Sequence, residues 1–343
     1  MPFDPNAAAP IDSGIFGLPD EPDEAKVILF PVPWDATTSY RPGTSDGPRA
    51  ILAASKQVDL FDIEVGRPYE AGIAMLAEDP ELRAINVEAR ALAVPVIAAG
   101  GDVSGNAALA EKLARVNVLS DVVNRKVFDV TRRWLDRGKI VGLVGGDHAS
   151  PFGAIQAHAE RYPGMGILHV DAHADLRREY EGFAWSHASI MENVARRIDG
   201  VSTIVQVGIR DLCEEEHRRI EESGGRIRTH FDVDIARARM RGELGARIAS
   251  AVSELPRDVY VSFDIDGLDP VLCPATGTPV PGGLSFHEAA ALLREVATSG
   301  KRIVGFDLNE VGGAEWDGNV GARLLYKLIG WTLVSRGISR PFR

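Results

Sequence analysis

Short apolar runs alternate along this chain with longer segments that have an amphipathic, helix-like pattern. The apolar runs lie at 26–31, 71–76, 139–144, 166–170, 203–208, 259–265 and 302–306. The helix-like segments lie at 122–137, 151–162, 189–198, 237–255 and 286–299. A strand that is apolar along its whole length needs cover on both faces, and helices between such strands supply it. The pattern therefore predicts an α/β domain around a mainly parallel sheet.

The length of 343 residues allows one large domain or two modest ones. No linker is clear enough to divide the chain, so we expect a single domain over 26–343. Residues 1–25 have no helical or strand period and are rich in proline, which predicts an extended N-terminal arm. The stretch 79–120 is the least readable, with a helix expected near 105–114.

The charge balance restricts the partners of the chain. Forty-nine acidic and 38 basic residues give a net charge of −11, which argues against binding to a nucleic-acid backbone. Two cysteines, Cys213 and Cys273, give no disulfide framework. The N-terminus lacks the pattern of a signal peptide, and the longest apolar stretch, 91–99, is far shorter than the ~20 residues of a membrane span. We expect a soluble cytoplasmic protein without a nucleic-acid or membrane partner.

Three predicted strands are followed directly by side chains that bind metals. They are His148 after 140–144, Asp171, His173 and Asp175 after 167–170, and Asp264 and Asp266 after 259–263. In open parallel sheets the active site lies beyond the carboxyl ends of the strands. Residues two apart in an extended segment point to the same side, so the acids and the imidazole within each segment should converge.

Together these segments supply two imidazoles and four carboxylates. Crowded buried carboxylates are costly unless cations neutralise them. One ion would have too many ligands, whereas two ions that share bridging carboxylates would be coordinated well. The mixed imidazole and carboxylate set favours Mn²⁺, with Ni²⁺, Co²⁺ and Fe²⁺ as alternatives. Two such ions, roughly 3.5–4 Å apart, can provide hydroxide from a bridging water at neutral pH.

The same segments resemble the signature motifs of the ureohydrolases, the arginase/agmatinase family. The motifs are Val-Gly-Gly-Asp-His at 144–148, His-Val-Asp-Ala-His-Ala-Asp at 169–175 and Ser-Phe-Asp-Ile-Asp-Gly-Leu-Asp-Pro at 262–270. Segments 274–279 and 305–310 match as well, and the resemblance extends from about 27 to 336. Segments 175–182 and 186–189 look more like agmatinases than arginases.

The resemblance implies a three-layer αβα sandwich and a dimanganese centre, with two Mn²⁺ per chain and Ni²⁺ as the alternative. By position, one ion takes His148, Asp171, Asp175 and Asp264, and the other takes Asp171, His173, Asp264 and Asp266. Such a centre hydrolyses a small guanidine to urea and an amine by attack of a metal-bridging hydroxide. The resemblance also implies a homo-oligomer, either a trimer or a hexamer.

Further site residues follow from the same resemblance. Glu310 matches the glutamate that binds the guanidinium, and Thr278 matches a residue beside it. A carboxylate can accept two N–H bonds from a guanidinium in fork geometry. His187 matches a mobile histidine that shuttles protons, and Asp175 could relay a proton to the leaving amine.

Two departures from the arginase pattern concern the substrate. Arg177 stands where arginases carry an asparagine for the amino-acid carboxylate, and Cys213 stands where they carry an aspartate. Agmatine, cleaved to putrescine, is therefore the first hypothesis, with Glu179, Glu181 and Asp211 as candidates to bind its far amine. Arg177 could instead bind a carboxylate, as in guanidinobutyrate. Guanidine itself and methylated guanidines also remain open.

Two hypotheses from other classes remain. A single-zinc enzyme of the deacetylase type could use an Asp-x-His segment and one further aspartate. A non-catalytic paralogue could serve as a subunit of a hetero-oligomer. The metal content per chain separates the three readings, at two, one or none.

The remaining histidines and one acidic run receive simpler predictions. His169 should pack in the core, because strand alternation turns it away from His173. Glu214–Glu216 should be a solvated helix start that could rim the entrance to the site. Solvated positions are expected for the other histidines, which are His158, His217, His230 and His287.

Overall fold

A computed structural model describes residues 3–342, and its centre is one sheet of eight strands. The strands are β1 (Val27–Pro31), β2 (Ile73–Met75), β3 (Ile140–Val144), β4 (Met165–Val170), β5 (Val201–Ile209), β6 (Ile227–Phe231), β7 (Asp258–Asp264) and β8 (Arg302–Asn309). Their order in the sheet is β2-β1-β3-β8-β7-β4-β5-β6. Every neighbouring pair is parallel, as the apolar runs predict.

Ten α-helices within residues 3–342 cover the two faces of this sheet. They are α1 (Gly47–Ser55), α2 (Pro80–Ala98), α3 (Ala107–Asp136), α4 (Phe152–Arg161), α5 (Ile190–Arg197), α6 (Glu214–Glu221), α7 (Asp232–Arg241), α8 (Leu244–Ser253), α9 (Phe286–Thr298) and α10 (Glu315–Ser335). Helices α2 to α5 contact one another in series, and α7 to α10 form a second series that α1 joins. Separate hydrophobic clusters fill the space between the sheet and the helices. The three-layer αβα sandwich is confirmed.

Each predicted apolar run overlaps a strand, but one strand was missed. β6 lies at the edge of the sheet, and its sequence Ile-Arg-Thr-His-Phe alternates between buried and more accessible residues. An edge strand with three polar residues does not form an apolar run, so the pattern gave no sign of it.

Three helix predictions differ from the structure. The segment 237–255 is split into α7 and α8, because Gly242 adopts a left-handed conformation with φ 73° and ends α7. Within 79–120, Asp79 caps the start of α2. α3 is one continuous helix that covers nearly all of 105–114 and 122–137, which were predicted as separate helices. α10 was not predicted, since it is buried on nearly all sides and therefore lacks a polar stripe.

The segment predicted as an N-terminal arm lies partly against the domain, and Met1 and Pro2 lie outside the described residues. Residues 3–25 form turns and one short 3₁₀ helix, Ile15–Gly17. Phe16 is buried, its ring meets that of Tyr326 edge-on at 4.9 Å between centroids, and its N–H donates to Ser55 Oγ at 2.9 Å. This contact attaches the segment to α1 and α10.

No helix within residues 3–342 has both the length and the apolar character needed to cross a membrane.

The strand order places side by side the four strands that precede the predicted site residues. β3, β8, β7 and β4 are consecutive neighbours at its centre. Because all four run in the same direction, their carboxyl ends meet at one edge. The residues that follow these four strands therefore face a common space.

Candidate active site

The turn after β3 can only be made by glycine. A β-carbon on Gly146 would lie 1.9 Å from the carbonyl oxygen of Trp34, so the backbone must pass there without a side chain. The next residue, Asp147, donates its N–H to the same oxygen at 2.7 Å. This close passage places His148 beyond the end of the strand, where it is almost fully buried.

His148 lies among carboxylates from two other strands. Its Nδ1 is 2.9 Å from Asp171 Oδ2, 3.3 Å from Asp175 Oδ2 and 3.3 Å from Asp264 Oδ2. Asp171 and Asp175 follow β4, and Asp264 ends β7. Four residues that sequence analysis assigns to one ion therefore surround a single point.

A second centre lies on the other side of Asp171. His173 Nδ1 is 3.1 Å from Asp266 Oδ2 and 3.5 Å from Asp171 Oδ1. Asp171 thus faces one imidazole with each oxygen. Asp266 Oδ1 accepts the N–H of Ala172 at 3.0 Å, which ties the β7 segment to the β4 segment. All six predicted metal-binding residues lie together.

The acid–imidazole cluster consists of His148, Asp171, His173, Asp175, Asp264 and Asp266. No lysine or arginine among residues 3–342 forms an ion pair with its carboxylates. Burial and the neighbouring Asp266 and Asp171 raise the pKa of Asp264 well above its usual value. Burial, with Asp171, raises the pKa of Asp175 to about 7. Burial alone would lower the pKa of His148, but hydrogen bonds to Asp171, Asp175 and Asp264 raise it well above normal. Buried acids that compete for protons are a donor set well suited to divalent cations.

Two acidic residues of the site have strained backbones. Asp175 has φ 54° and Glu310 has φ 59°, in the left-handed region that residues with a β-carbon seldom adopt. Such conformations cost about 1–3 kcal/mol each and persist where the surroundings enforce them. The carbonyl of Asp175 accepts the N–H groups of Met191 and Glu192 in α5, both at 3.1 Å. Glu310 donates its own N–H to Gly146 O at 2.7 Å.

Glu310 presents a free acceptor to the pocket. Its Oε1 accepts the N–H of His148 at 3.0 Å, whereas its buried Oε2 has no hydrogen-bond partner among residues 3–342. Burial, together with Asp147 and Asp266, raises its pKa well above the usual value. A cation beside Oε2 would relieve both the missing hydrogen bond and the unbalanced charge.

A pocket of about 170 Å³ opens onto the cluster and onto Glu310. Its wall includes Ser39, Arg177, Tyr180, His187, Asp211, Leu212, Glu216 and Thr278. Thr278 Oγ1 lies 3.5 Å from Asp266 Oδ2. Burial, with the charges of His173 and His148, lowers the pKa of His187 to about 4, so this imidazole is neutral near pH 7.

Arg177 is held by two neighbours. Its Nε is 3.7 Å from Glu216 Oε2, and its guanidinium lies 4.9 Å from the ring centroid of Tyr180. Glu216 is buried and accepts the N–H groups of Leu176 at 3.0 Å and Cys213 at 2.9 Å. The prediction of a solvated Glu216 is wrong, because this side chain caps the start of α6 from within and also lines the pocket. Glu216 lies three residues after Cys213, the N-cap of α6, and this spacing was the available signal of a capping role.

Of the three carboxylates proposed for a far amine, Asp211 alone is part of the pocket wall. It is exposed and has no ion-pair partner among the described residues. Glu179 is exposed and Glu181 is half-buried, and neither lines the pocket.

The other histidines divide into two pairs. His217 and His287 are exposed, as predicted. The predictions for His158 and His230 are wrong, because both are buried; His158 Nδ1 donates to Ala154 O at 2.8 Å, and His230 Nε2 lies 3.2 Å from Glu254. The ring of Tyr260 on β7 packs against His158, with 4.9 Å between the ring centroids. Both Tyr260 and Glu254 are distant in sequence from the histidines they contact, so the local pattern does not reveal them.

His169 is buried in the core as predicted, but it also touches the acid–imidazole cluster. Its Nε2 lies 2.8 Å from Asp171 Oδ2. Positions 169, 171 and 173 are two residues apart, so strand alternation itself places the side chains of His169 and Asp171 on one side. The expectation that alternation turns His169 away is wrong. The contact was not predicted, although this two-residue spacing was an available signal. By geometry His169 could group with His148, Asp171 and Asp175 around an ion.

Comparison with known proteins gives concordant matches. The family model described as "Arginase family" matches residues 25–331. The chain is 35% identical over 320 residues to the N(1)-aminopropylagmatine ureohydrolase of Thermus thermophilus, covering 92% of this chain and 94% of that protein. It is 32% identical over 290 residues to the agmatinase of Bacillus subtilis, covering 84% of each.

Solved structures share the fold. Proclavaminate amidino hydrolase from Streptomyces clavuligerus superposes with a TM-score of 0.70 at 22% identity, covering 96% of this chain and 100% of that one. The arginase from Medicago truncatula gives a TM-score of 0.65 at 23% identity, covering 90% and 88%.

Proposed function

This chain belongs to the arginase family of hydrolases, and from that premise we propose that it cleaves a guanidino C–N bond with a dinuclear metal centre, releasing urea and an amine. The observation that carries the proposal is the position of Asp171. Its two oxygens face two different imidazoles, His148 and His173, with further carboxylates around each. A carboxylate placed in this way is suited to bridging two ions.

The residues proposed to hold the ions form two overlapping sets. One set is His148, Asp171, Asp175 and Asp264, and the other is Asp171, His173, Asp264 and Asp266. We propose Mn²⁺ for both, with Ni²⁺ as the alternative, because imidazole and carboxylate ligands suit these ions. When bound, a pair of such ions supplies hydroxide near neutral pH.

Glu310 is proposed to orient the guanidinium. Its Oε2 is buried, faces the pocket and lacks a partner among the described residues. The bond from His148 N to Oε1 and the bond from Glu310 N to Gly146 O hold the side chain at both ends. A fixed carboxylate at the pocket wall would hold the flat cation by its N–H groups, with Thr278 beside it.

The leaving amine needs a proton, and two residues are proposed to deliver it. Asp175 lies in the cluster beside His148 and borders the pocket, so it can pass a proton to a bound substrate. His187 is neutral near pH 7 and stands in the pocket wall. A neutral imidazole can accept a proton on one nitrogen and then release the proton of its other nitrogen to solvent.

The charges at the pocket wall favour a substrate with a cationic tail. Arg177 lies near Glu216 and against Tyr180, so its positive charge is partly balanced. Asp211 has no such partner within residues 3–342. We propose agmatine as the substrate. Agmatine that carries an aminopropyl group is the second candidate, since a relative covering 92% of this chain is named for that activity.

We expect agmatine or its aminopropyl derivative to be preferred over arginine by at least roughly tenfold in kcat/KM, or ~1.4 kcal/mol. The reason is that Arg177 and Cys213 stand where arginases contact the amino-acid group. Urea release should be compared across both compounds, guanidinobutyrate, arginine, guanidine and methylguanidine, with Mn²⁺ and Ni²⁺ tested separately. Arginine as the best substrate would contradict the proposal.

A pair of variants tests the role of the pocket wall in this preference. Asp211→Asn should narrow the difference in kcat/KM between agmatine and guanidinobutyrate, because it removes the unpaired negative charge. Glu215→Gln is the matched control, since this residue is exposed on α6 outside the pocket wall. Equal selectivity in both variants would exclude Asp211 from binding the tail.

Metal analysis tests the proposed function directly. We expect two transition-metal ions per chain, removed by a chelator together with urea release, and both restored by Mn²⁺ or Ni²⁺. Six ligand side chains around two centres are the reason. One zinc per chain would favour the single-metal hydrolase, and none would favour the non-catalytic paralogue.

A further inference from the structure

Two buried histidines approach the same oxygen of Asp171, and we infer that they have opposite roles. His148 Nδ1 lies 2.9 Å and His169 Nε2 lies 2.8 Å from Asp171 Oδ2. The structure assigns His148 as a metal ligand that offers a lone pair, and His169 as a positioning residue that offers a hydrogen. The inference rests on the proposed dinuclear site and names the residue that orients its bridging carboxylate.

The neighbours of Gln206 determine which nitrogen of His169 carries the hydrogen. Gln206 Nε2 lies 2.7 Å from Ala174 O and 3.0 Å from His169 Nδ1. A carbonyl oxygen can only accept, so the amide nitrogen and not the amide oxygen must face Ala174. The second amide hydrogen then points at His169 Nδ1, which must be an acceptor. The hydrogen of the neutral ring is therefore on Nε2 and is donated to Asp171.

The edge of the sheet supports the same orientation. Thr229 donates its hydroxyl to Gln206 Oε1 at 2.8 Å. His169, Gln206 and Thr229 are direct register partners on β4, β5 and β6. His169 and Gln206 are fully buried, so bulk solvent does not compete for these hydrogen bonds. A row of hydrogen bonds across three strands thus ends at Asp171.

His148, in contrast, turns a nitrogen without a hydrogen toward Asp171. Its Nε2 lies 2.9 Å from Ser262 Oγ, and Ser262 donates to Asp307 Oδ1 at 2.9 Å. A serine hydroxyl has one hydrogen, so Ser262 must accept from His148 Nε2–H. In the neutral ring, Nδ1 of His148 then has its lone pair available, and an ion held among Asp171, Asp175 and Asp264 would take the place of a proton there.

The consequence concerns how Asp171 is oriented. The bond from His169 holds Oδ2, while Oδ1 accepts the N–H of His173 and lies 3.5 Å from its ring. With both oxygens held, the carboxylate plane is set before any ion binds. Partners of this kind commonly change metal affinity by 10–100-fold when they are removed.

The test compares two substitutions at one position. His169→Gln keeps an N–H donor near Asp171 but removes the imidazole, and we expect it to retain two Mn²⁺ per chain with affinity within about threefold of wild type. His169→Leu removes the donor, and we expect at least about tenfold weaker Mn²⁺ binding. Affinity is measured by titrating the protein with Mn²⁺ and following free Mn²⁺ by electron paramagnetic resonance. His148→Gln, the matched contrast, should lose an ion.

A second pair of variants keeps the test informative if the buried position tolerates no change. Thr229→Val removes the outer hydrogen bond from the edge strand, whereas Thr229→Ser keeps the hydroxyl that donates it. We expect weaker Mn²⁺ binding only for the valine variant. In ¹⁵N spectra of histidine-labelled wild-type protein loaded with Zn²⁺, His169 should carry its hydrogen on Nε2. Equal metal loss in His169→Gln and His148→Gln, or a hydrogen on His169 Nδ1, would overturn this inference alone. A wild-type chain that binds no metal would overturn the proposed function as well.

Discussion

Asp264→Asn is expected to lower kcat by at least about a thousandfold, or ~4 kcal/mol, and to reduce the metal content. Asp264 Oδ2 lies 3.3 Å from His148 Nδ1, and its Oδ1 accepts the N–H of Asp266 at 2.8 Å. The side chain is proposed to bridge both ions, so an amide would weaken both centres at once. Urea release and elemental analysis measure the two effects.

The control for this variant is the same substitution at the other end of the same strand. Asp258 begins β7 and pairs with Arg302 at 2.7 Å, with both side chains partly exposed. Asp258→Asn should leave turnover and metal content nearly unchanged, since exposed ion pairs contribute about 1 kcal/mol or less to stability. Near-normal turnover in Asp264→Asn would show that the bridging carboxylate is misassigned.

Glu310→Gln is expected to lower kcat/KM by at least a hundredfold, or about 2.7 kcal/mol, with both metal ions still bound. The substitution keeps the size of the side chain but removes its charge and turns one acceptor into a donor. Loss of a buried ion-paired contact costs about 3–5 kcal/mol. Metals should stay because Glu310 is not among the proposed ligands.

The matched control is Glu315→Gln, at an exposed position in the first turn of α10. It should behave like wild type in urea release and in metal content. If Glu310→Gln loses an ion, Glu310 is a ligand and the proposed coordination needs revision. If it remains fully active, the guanidinium binds elsewhere.

The parts of the molecule that sequence analysis could predict are those governed by local pattern. The central strands are apolar on both faces, and His148, Asp171 and Asp264 follow them directly, so their convergence at one edge of the sheet follows from general rules of α/β folds. The place of β8 between β3 and β7 is a matter of long-range packing, and no short segment specifies it.

Two buried side chains show why the rest was out of reach. Glu216 sits in an acidic run that looks solvated, yet the N–H groups of Leu176 and Cys213 satisfy it inside the fold. His169 looks like a core residue, and its contact with Gln206 arises only because β5 pairs with β4. In both cases the partner is distant in sequence or is a backbone group, which side-chain patterns do not report.

The central position of β8 also has a consequence for the order in which the chain is synthesised. Until residues 302–309 emerge from the ribosome, β3 and β7 are separate edges of two partial sheets, each with unpaired backbone groups and apolar faces. The last strand to be made therefore joins the two halves and delivers Glu310 at the same moment. A nascent chain that stops just before residue 302 has all six proposed metal-binding residues but lacks Glu310. Its unpaired strand edges and exposed apolar faces favour aggregation during that interval.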